Sequence, residues 1–456
     1  MPDIQAEIDR YLVERPSVGI VLALVQGDAI TEVFSAGTTH VGRASAPDVD
    51  SVFRIASMTK SFTAAAVLLL RDREQLRLDD PVSDHIPWLP QRDITVRDLL
   101  TMNAGFPTDD PWGDRHEPTP IEAFDALVAD GVSMIRDPRT GFEYSNLSYA
   151  LLGRMITSIT GVEYTAFVTR ELLQPLRMRA STYDHRTIPD ARVAQGHHDV
   201  AGEFVVEPQT LPGAFSPMGG LHSSARDLAI WVAGFLGAWN GNDAHPLSKA
   251  SRLEMQSPQN FARLVVRSDE GSASSLSYGY GLLAEEHSVL GRFVHHSGGY
   301  PGFGSHMRWH PETGLGIIAL SNRTYAAPVP LCERILCDLV AYATPLTPPI
   351  DRLWPRTREA MQVAERLFNA WDDDLASSWF AHNMDLDVPR AVRRDAAAKL
   401  QQEIGAAASD VHALSSRSAA HARWSLRGAN GSVWVELLMS PDREPRIQSL
   451  NYATQP

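Results

Sequence analysis

The sequence predicts an α+β protein in two parts. The first is large, with strands from its two ends enclosing a helical middle. The second is a small α+β domain behind a proline-rich linker. Three observations predict this. Strand-like runs open the chain at Val18–Val25 and Ile30–Phe34, about a Gly27-Asp28 turn, and return at His306–His310 and Leu315–Leu320, about Pro311-Glu312-Thr313-Gly314. Between them, Ser57 to about Met178 reads as a mainly helical region. Thr344-Pro345-Leu346-Thr347-Pro348-Pro349 is stiff and has no helical option, so a boundary falls there. Early and late strands are expected to share one antiparallel sheet with helices on it; the residues do not set the strand order.

The domains expected are 1–343, a linker over 344–355, and 356–456. Met1–Arg10 looks like a helix start, and Leu331–Tyr342 like a late helix. Cys332 and Cys337 lie five apart on that helix, on different faces, so neither a disulfide nor a metal pair is expected; two buried thiols are. The last part reads as helices Glu359–Trp371 and Ala391–Ile404, then strands near Val411–Arg417, Ala420–Leu426, Ser432–Leu438 and Ile447–Tyr452. Its element order resembles the small cone of nuclear-transport-factor-2-like domains. It holds no catalytic constellation; covering the mouth of a site or forming a dimer are the roles expected.

The 456 residues are 44% hydrophobic and 8% aromatic, as in ordinary globular proteins. A net charge of −14 argues against nucleic acid and against anionic lipid as partners. No apolar run approaches the ~20 residues of a membrane span, so no membrane partner is expected. The first residues have neither a basic nor an apolar signal region, and a cytoplasmic location is expected. His197-His198 and His295-His296 lack a carboxylate or cysteine at ligand spacing, so neither metal nor cofactor is expected. Asp109-Asp110 and Asp372-Asp373-Asp374 read as solvated loop charges. A homo-oligomer is compatible with the sequence.

Ser57 and Lys60 stand three apart where a long apolar helix begins. That spacing puts both on one face, one turn apart, beside the free N–H groups of a helix start. A serine hydroxyl needs a base, and lysine is one only when burial or a neighbouring cation lowers its pKa from about 10.4. Tyr144-Ser145-Asn146 follows a turn and precedes the buried helix Leu147–Ile156. The tyrosine can share a proton with the serine or a leaving group, and the asparagine amide can serve substrate and lysine; a plain helix cap is the competing reading. His296-Ser297-Gly298-Gly299 lies on a strand, where paired glycines let a ligand approach the backbone and an N–H face an oxyanion. Trp112, Phe215, Tyr300 and Trp309 suit an apolar pocket or the core equally well.

Ser-Met-Thr-Lys, Tyr-Ser-Asn and His-Ser-Gly, in this order, resemble the three motifs of the penicillin-recognising serine hydrolases. The form is most similar to the branch holding class C β-lactamases, D-Ala-D-Ala carboxypeptidases, D-aminopeptidases and carboxylesterases. Ile94–Phe106, with Met102 in place of a usual histidine, Gln174–Met178 and Pro217–Ala229 extend the resemblance over about residues 5–343. It implies a β-lactamase/transpeptidase-like sheet flanked by helices, with a helical subdomain. It further implies a Ser57 acyl-enzyme formed on an amide or ester, with a D-amino-acid peptide or amide favoured. Lys60 and Tyr144 would move the protons; Asn146, His296 and Ser297 would meet the substrate; the N–H groups of Ser57 and Gly299, beside Gly298, would hold the oxyanion. A carboxylesterase or biosynthetic acyltransferase is the alternative, and a non-catalytic binding protein on the same fold is the alternative from another class. Asp227 is expected to cap a helix.

Overall fold

The computed structural model describes residues 3–43, 45–241, 245–267, 271–343 and 349–454. The chain forms two compact units, residues 1–344 and 345–456. Residues 344–348 of the expected linker lie outside the described residues.

The first unit has twelve strands: β1 (Gly19–Gln26), β2 (Ala29–Gly37), β3 (Val52–Arg54), β4 (His197–Val200), β5 (Glu203–Val206), β6 (His222–Ser224), β7 (Asn260–Arg267), β8 (Ser272–Tyr278), β9 (Leu283–His287), β10 (Gly291–Tyr300), β11 (Phe303–His310) and β12 (Leu315–Ser321). Eight build one antiparallel sheet in the order β2-β1-β12-β11-β10-β9-β8-β7. The first strand and the last are neighbours, with Ile20 opposite Ser321 and Gln26 opposite Leu315. Early and late segments therefore share one sheet, as expected. The sequence reading missed β7, β8 and β9, whose serines, glutamates and exposed side chains give no apolar run.

Strand β1 is apolar throughout because both of its faces are covered. Ile20, Leu22 and Leu24 pack with Ile4, Ile8, Leu331 and Ile335 from the Ile4–Glu14 and Val329–Tyr342 helices. Val21, Ala23 and Val25 turn to the larger core, where Phe62, Leu68 and Trp231 lie. Each such fully buried side chain contributes about 1.5–3 kcal/mol of transfer free energy. On that larger side the helix Thr59–Asp72 is buried from Thr59 to Leu70, and the Phe62 ring stacks on Trp231 at 3.9 Å. A helix hydrophobic all round belongs in a core, and this one fixes the nucleophile turn at its N-terminus.

Ser224, rather than Asp227, caps the helix Ala225–Asn240; the Asp227 carboxylate instead accepts from the Ala180 N–H at 2.8 Å. Cys332 is buried and Cys337 half-buried, where two buried thiols were expected, and neither forms a disulfide. The second unit packs helices Pro355–Asn369, Asp373–Trp379, Met384–Asp387 and Arg390–Ile404 with a four-stranded antiparallel sheet. Its strands are β13 (Ala407–Ser415), β14 (His421–Gly428), β15 (Gly431–Met439) and β16 (Ile447–Ala453), in that spatial order. Leu367, Phe368, Trp424, Val433, Val435 and Leu437 lie in its core. Asp372 is a helix N-cap rather than a solvated loop charge, accepting from the Asp374 and Leu375 N–H groups. Among the described residues, no helix is long and apolar enough to cross a membrane.

Candidate active site

Ser57 sits in a tight turn, Ala56–Met58, that runs into the buried helix. Three ties hold this turn. Ile55 N–H donates to the Leu221 carbonyl at 2.9 Å. Ser305 Oγ donates to the Ile55 carbonyl at 2.7 Å, and Thr59 Oγ1 donates to the Ala56 carbonyl at 2.6 Å. Ala56 is held in the left-handed region at φ 50°, a conformation that costs a non-glycine residue about 1–3 kcal/mol. Ser57 is 8% exposed.

Lys60 is fully buried and its Nζ donates to three oxygens: Ser57 Oγ at 2.9 Å, Asn146 Oδ1 at 2.7 Å and the Met218 carbonyl at 2.9 Å. Only one of the three, the serine hydroxyl, can also donate. Asn146 is fixed in its orientation because its Nδ2 donates to Asp110 Oδ1 at 2.8 Å, and a carboxylate only accepts. When Lys60 is neutral, Asn146 and Met218 therefore hold its two hydrogens and its lone pair is left for the Ser57 O–H. Burial pulls the Lys60 ammonium down to about 8, against Asp110, Asp114 and Asp109, which push it up.

Tyr144 hydrogen-bonds Ser57, and burial raises its phenol well above the usual 10, so it stays protonated at neutral pH. Its ring lies 4.9 Å from Lys60 Nζ. Its loop hangs on the segment before it in sequence: Glu143 N–H donates to the Met102 carbonyl at 3.0 Å, and Ser145 N–H to Met102 Sδ at 3.3 Å. Ser145 then caps the helix Asn146–Thr160, accepting from Ser148 N–H. The cap and the functional reading thus hold together, on neighbouring residues.

Strand β10 brings the third motif to the nucleophile turn. A Cβ on Gly298 would lie 2.2 Å from the Ile55 carbonyl oxygen and 2.3 Å from Ser305 Oγ, so only glycine fits. Beyond His295, opposite Leu283, β9 no longer pairs with β10, which leaves residues 296–300 one edge without a neighbouring strand. His296 is 2% exposed, with Nε2 3.2 Å from Tyr278 OH and Nδ1 2.7 Å from the Ser297 carbonyl. Burial, helped by Lys60, lowers it to about 3, so it is neutral and no carboxylate anchor. Ser297 differs from expectation: side chains alternate along a strand, and its hydroxyl is paired with His306 Nδ1 at 3.0 Å, on the face opposite His296 and Gly298. The structure thus gathers Ser57, Lys60, Tyr144, Asn146, His296 and the backbone at Gly298–Gly299, and leaves the Ser297 side chain out. A Cβ on Gly299 would lie 2.9 Å from the Tyr325 ring.

Asp109 and Asp110 correct the sequence reading. They are not solvated loop charges. Asp109 accepts from the N–H groups of Asn146 and Leu147, capping the Asn146–Thr160 helix from another segment. Asp114, 2% exposed, accepts from Tyr325 OH at 2.8 Å and is pushed up to about 7 by burial. Nearby, Arg54 and Glu117 form a buried ion pair at 2.5 Å, joined by Thr210 and by Tyr300 OH. The Met218 carbonyl was also missed, although Pro217–Ala229 carried part of the resemblance. Of the four aromatics, Phe215, Tyr300 and Trp309 are buried, while Trp112 is 40% exposed and stacks on His116.

Residues 4–335 match the family described as Beta-lactamase. Penicillin-binding protein 4* of Bacillus subtilis is 28% identical over 327 residues, 67% of this chain and 68% of that protein. Protein flp of Staphylococcus aureus is 29% identical over 295 residues, 63% of this chain and 56% of its own length. The octameric penicillin-binding protein homologue from Pyrococcus abyssi superposes over 98% of this chain and 94% of its own, with TM-score 0.65 at 20% identity, a likeness of fold.

Proposed function

The chain belongs to the beta-lactamase family, and we propose that it is a serine hydrolase that forms an acyl-enzyme on Ser57 from an amide or ester, with D-amino-acid amides and peptides favoured. One observation carries this reading: Lys60 Nζ lies 2.9 Å from Ser57 Oγ, with its other two positions held by acceptors. At pH 7.5 a lysine of pKa about 8 is neutral in about a quarter of molecules, a usable fraction for a base. Neutral Lys60 takes the Ser57 proton as Oγ bonds to the carbonyl carbon. The carbonyl oxygen becomes an oxyanion facing the N–H groups of Ser57 and Gly299. Tyr144, a neutral phenol, gives its proton to the leaving group and recovers one from the Lys60 ammonium. Water then attacks the acyl carbon and releases the acid, with the same groups working in reverse. His296 and Tyr278 shield this set from solvent, and Asn146 with Asp110 orients Lys60.

We assign this chemistry to residues 1–343, an accessory role to 356–456, and a homo-oligomeric state that light scattering of the full chain would test. The decisive experiment is the intact mass after exposure to a neutral fluorophosphonate, for the wild type and Ser57→Ala. A single adduct on the wild type only is the expected result. No adduct on folded wild type overturns the reading and favours a binding protein on this fold.

A further inference from the structure

The charges around Ser57 name the class of acyl group this site takes, on the reading that Ser57 is the nucleophile. We propose that it accepts an uncharged or ammonium-bearing acyl group and rejects one that carries a carboxylate beside the scissile carbonyl.

A carboxylate-bearing substrate needs a cation with donors to spare, and those in this network are committed. Lys60 spends its three on Ser57, Asn146 and Met218. Arg54 is held by Glu117 and by the Thr210 carbonyl and hydroxyl. Arg115 is turned to Glu207 at 2.7 Å. His296 occupies the basic position of the third motif, but both its ring nitrogens face protein partners inside the core. The Ser297 hydroxyl, the next candidate, is spent on His306.

Negative charge is plentiful instead. Asp109, Asp110 and Asp114 all act on Lys60, and Asp110 and Asp114 also act on Tyr144. Asp110 touches Asn146 directly, and Asp114 is bonded to Tyr325, whose ring borders Gly299. Three carboxylates against one lysine leave the cleft negative. In a site this buried such an excess repels an anion and draws a cation. Rejection by like charge is as much a specificity device as attraction.

The test uses three fluorophosphonates of equal chain length, ending in a methyl, an ammonium or a carboxylate, and reads the second-order rate of Ser57 labelling. The methyl and ammonium probes are expected to label at least about tenfold faster than the carboxylate probe. In Asp114→Asn, which keeps an acceptor for Tyr325, that gap is expected to narrow at least about threefold. The gap is a ratio within one protein, so partial unfolding of the variant does not alter it. Equal rates for all three probes, a faster carboxylate probe, or a gap unchanged in the variant would overturn this proposal alone. Failure of every probe on folded protein would overturn the acyl-enzyme reading and this proposal with it.

Discussion

Replacing Asp110 by asparagine should move the pH dependence of Ser57 labelling to lower pH. Asp110 Oδ1 accepts from Asn146 Nδ2 at 2.8 Å, and Asn146 Oδ1 accepts from Lys60 Nζ at 2.7 Å. One amide group therefore separates carboxylate and ammonium. At roughly 7 Å and an effective dielectric of about 20, their attraction is about 2.4 kcal/mol. At about 1.36 kcal/mol per pKa unit that is under two units, and water at the half-buried Asp110 roughly halves it. The attraction favours charged Lys60, so its loss favours the neutral base. The wild-type acid limb, expected near the Lys60 value of about 8, should fall by about one unit in Asp110→Asn. The amide of that variant still offers an oxygen to Asn146, so the orientation of Lys60 is kept. Above the midpoint the plateau rate should drop, because a weaker base takes the serine proton. The assay is the second-order rate of labelling by a neutral fluorophosphonate from pH 5 to 10, which needs no knowledge of the substrate. A midpoint that stays in place or rises would refute the argument that Lys60 is the titrating base under the control of Asp110.

Two further changes test the frame around the site. Gly298→Ala puts a methyl 2.2 Å from the Ile55 carbonyl, so the Ser57 turn must move; labelling should fall at least about a hundredfold while overpacking costs about 1–3 kcal/mol of stability by urea unfolding. Near-normal labelling would show that the turn tolerates displacement. Glu117→Ala strands Arg54, 1% exposed, without its carboxylate and should cost about 3–5 kcal/mol, whereas Arg54→Met with Glu117→Leu should recover most of it; equal losses in both would show that packing rather than charge is at stake.

How much of this was legible in sequence depends on how local each cause is. Ser57 and Lys60 were readable because residues three apart at a helix start must share a face. The pairing of β1 with β12 was readable because both are apolar strands, whereas Asn260–His287, the source of β7 to β9, alternates serine, glutamate and exposed residues and shows no strand signal. Asp109 and Asp110 look like any acidic pair before a proline. Their partners are the N–H groups and amide of a helix some 36 residues on, a contact only the fold makes. His296 was readable as a motif residue but not as a neutral one, since a histidine's charge is set by what surrounds it. Burial is the common cause of these protonation states. It lowers Lys60 and His296, and it raises Asp114 and Tyr144. Each shift favours the uncharged form, so the low-dielectric pocket that makes Lys60 a base at neutral pH also makes Tyr144 an acid and removes the histidine cation. Base, acid and the lack of an anion anchor therefore follow from a single property of the site, and a change that hydrates the pocket should disturb all three together.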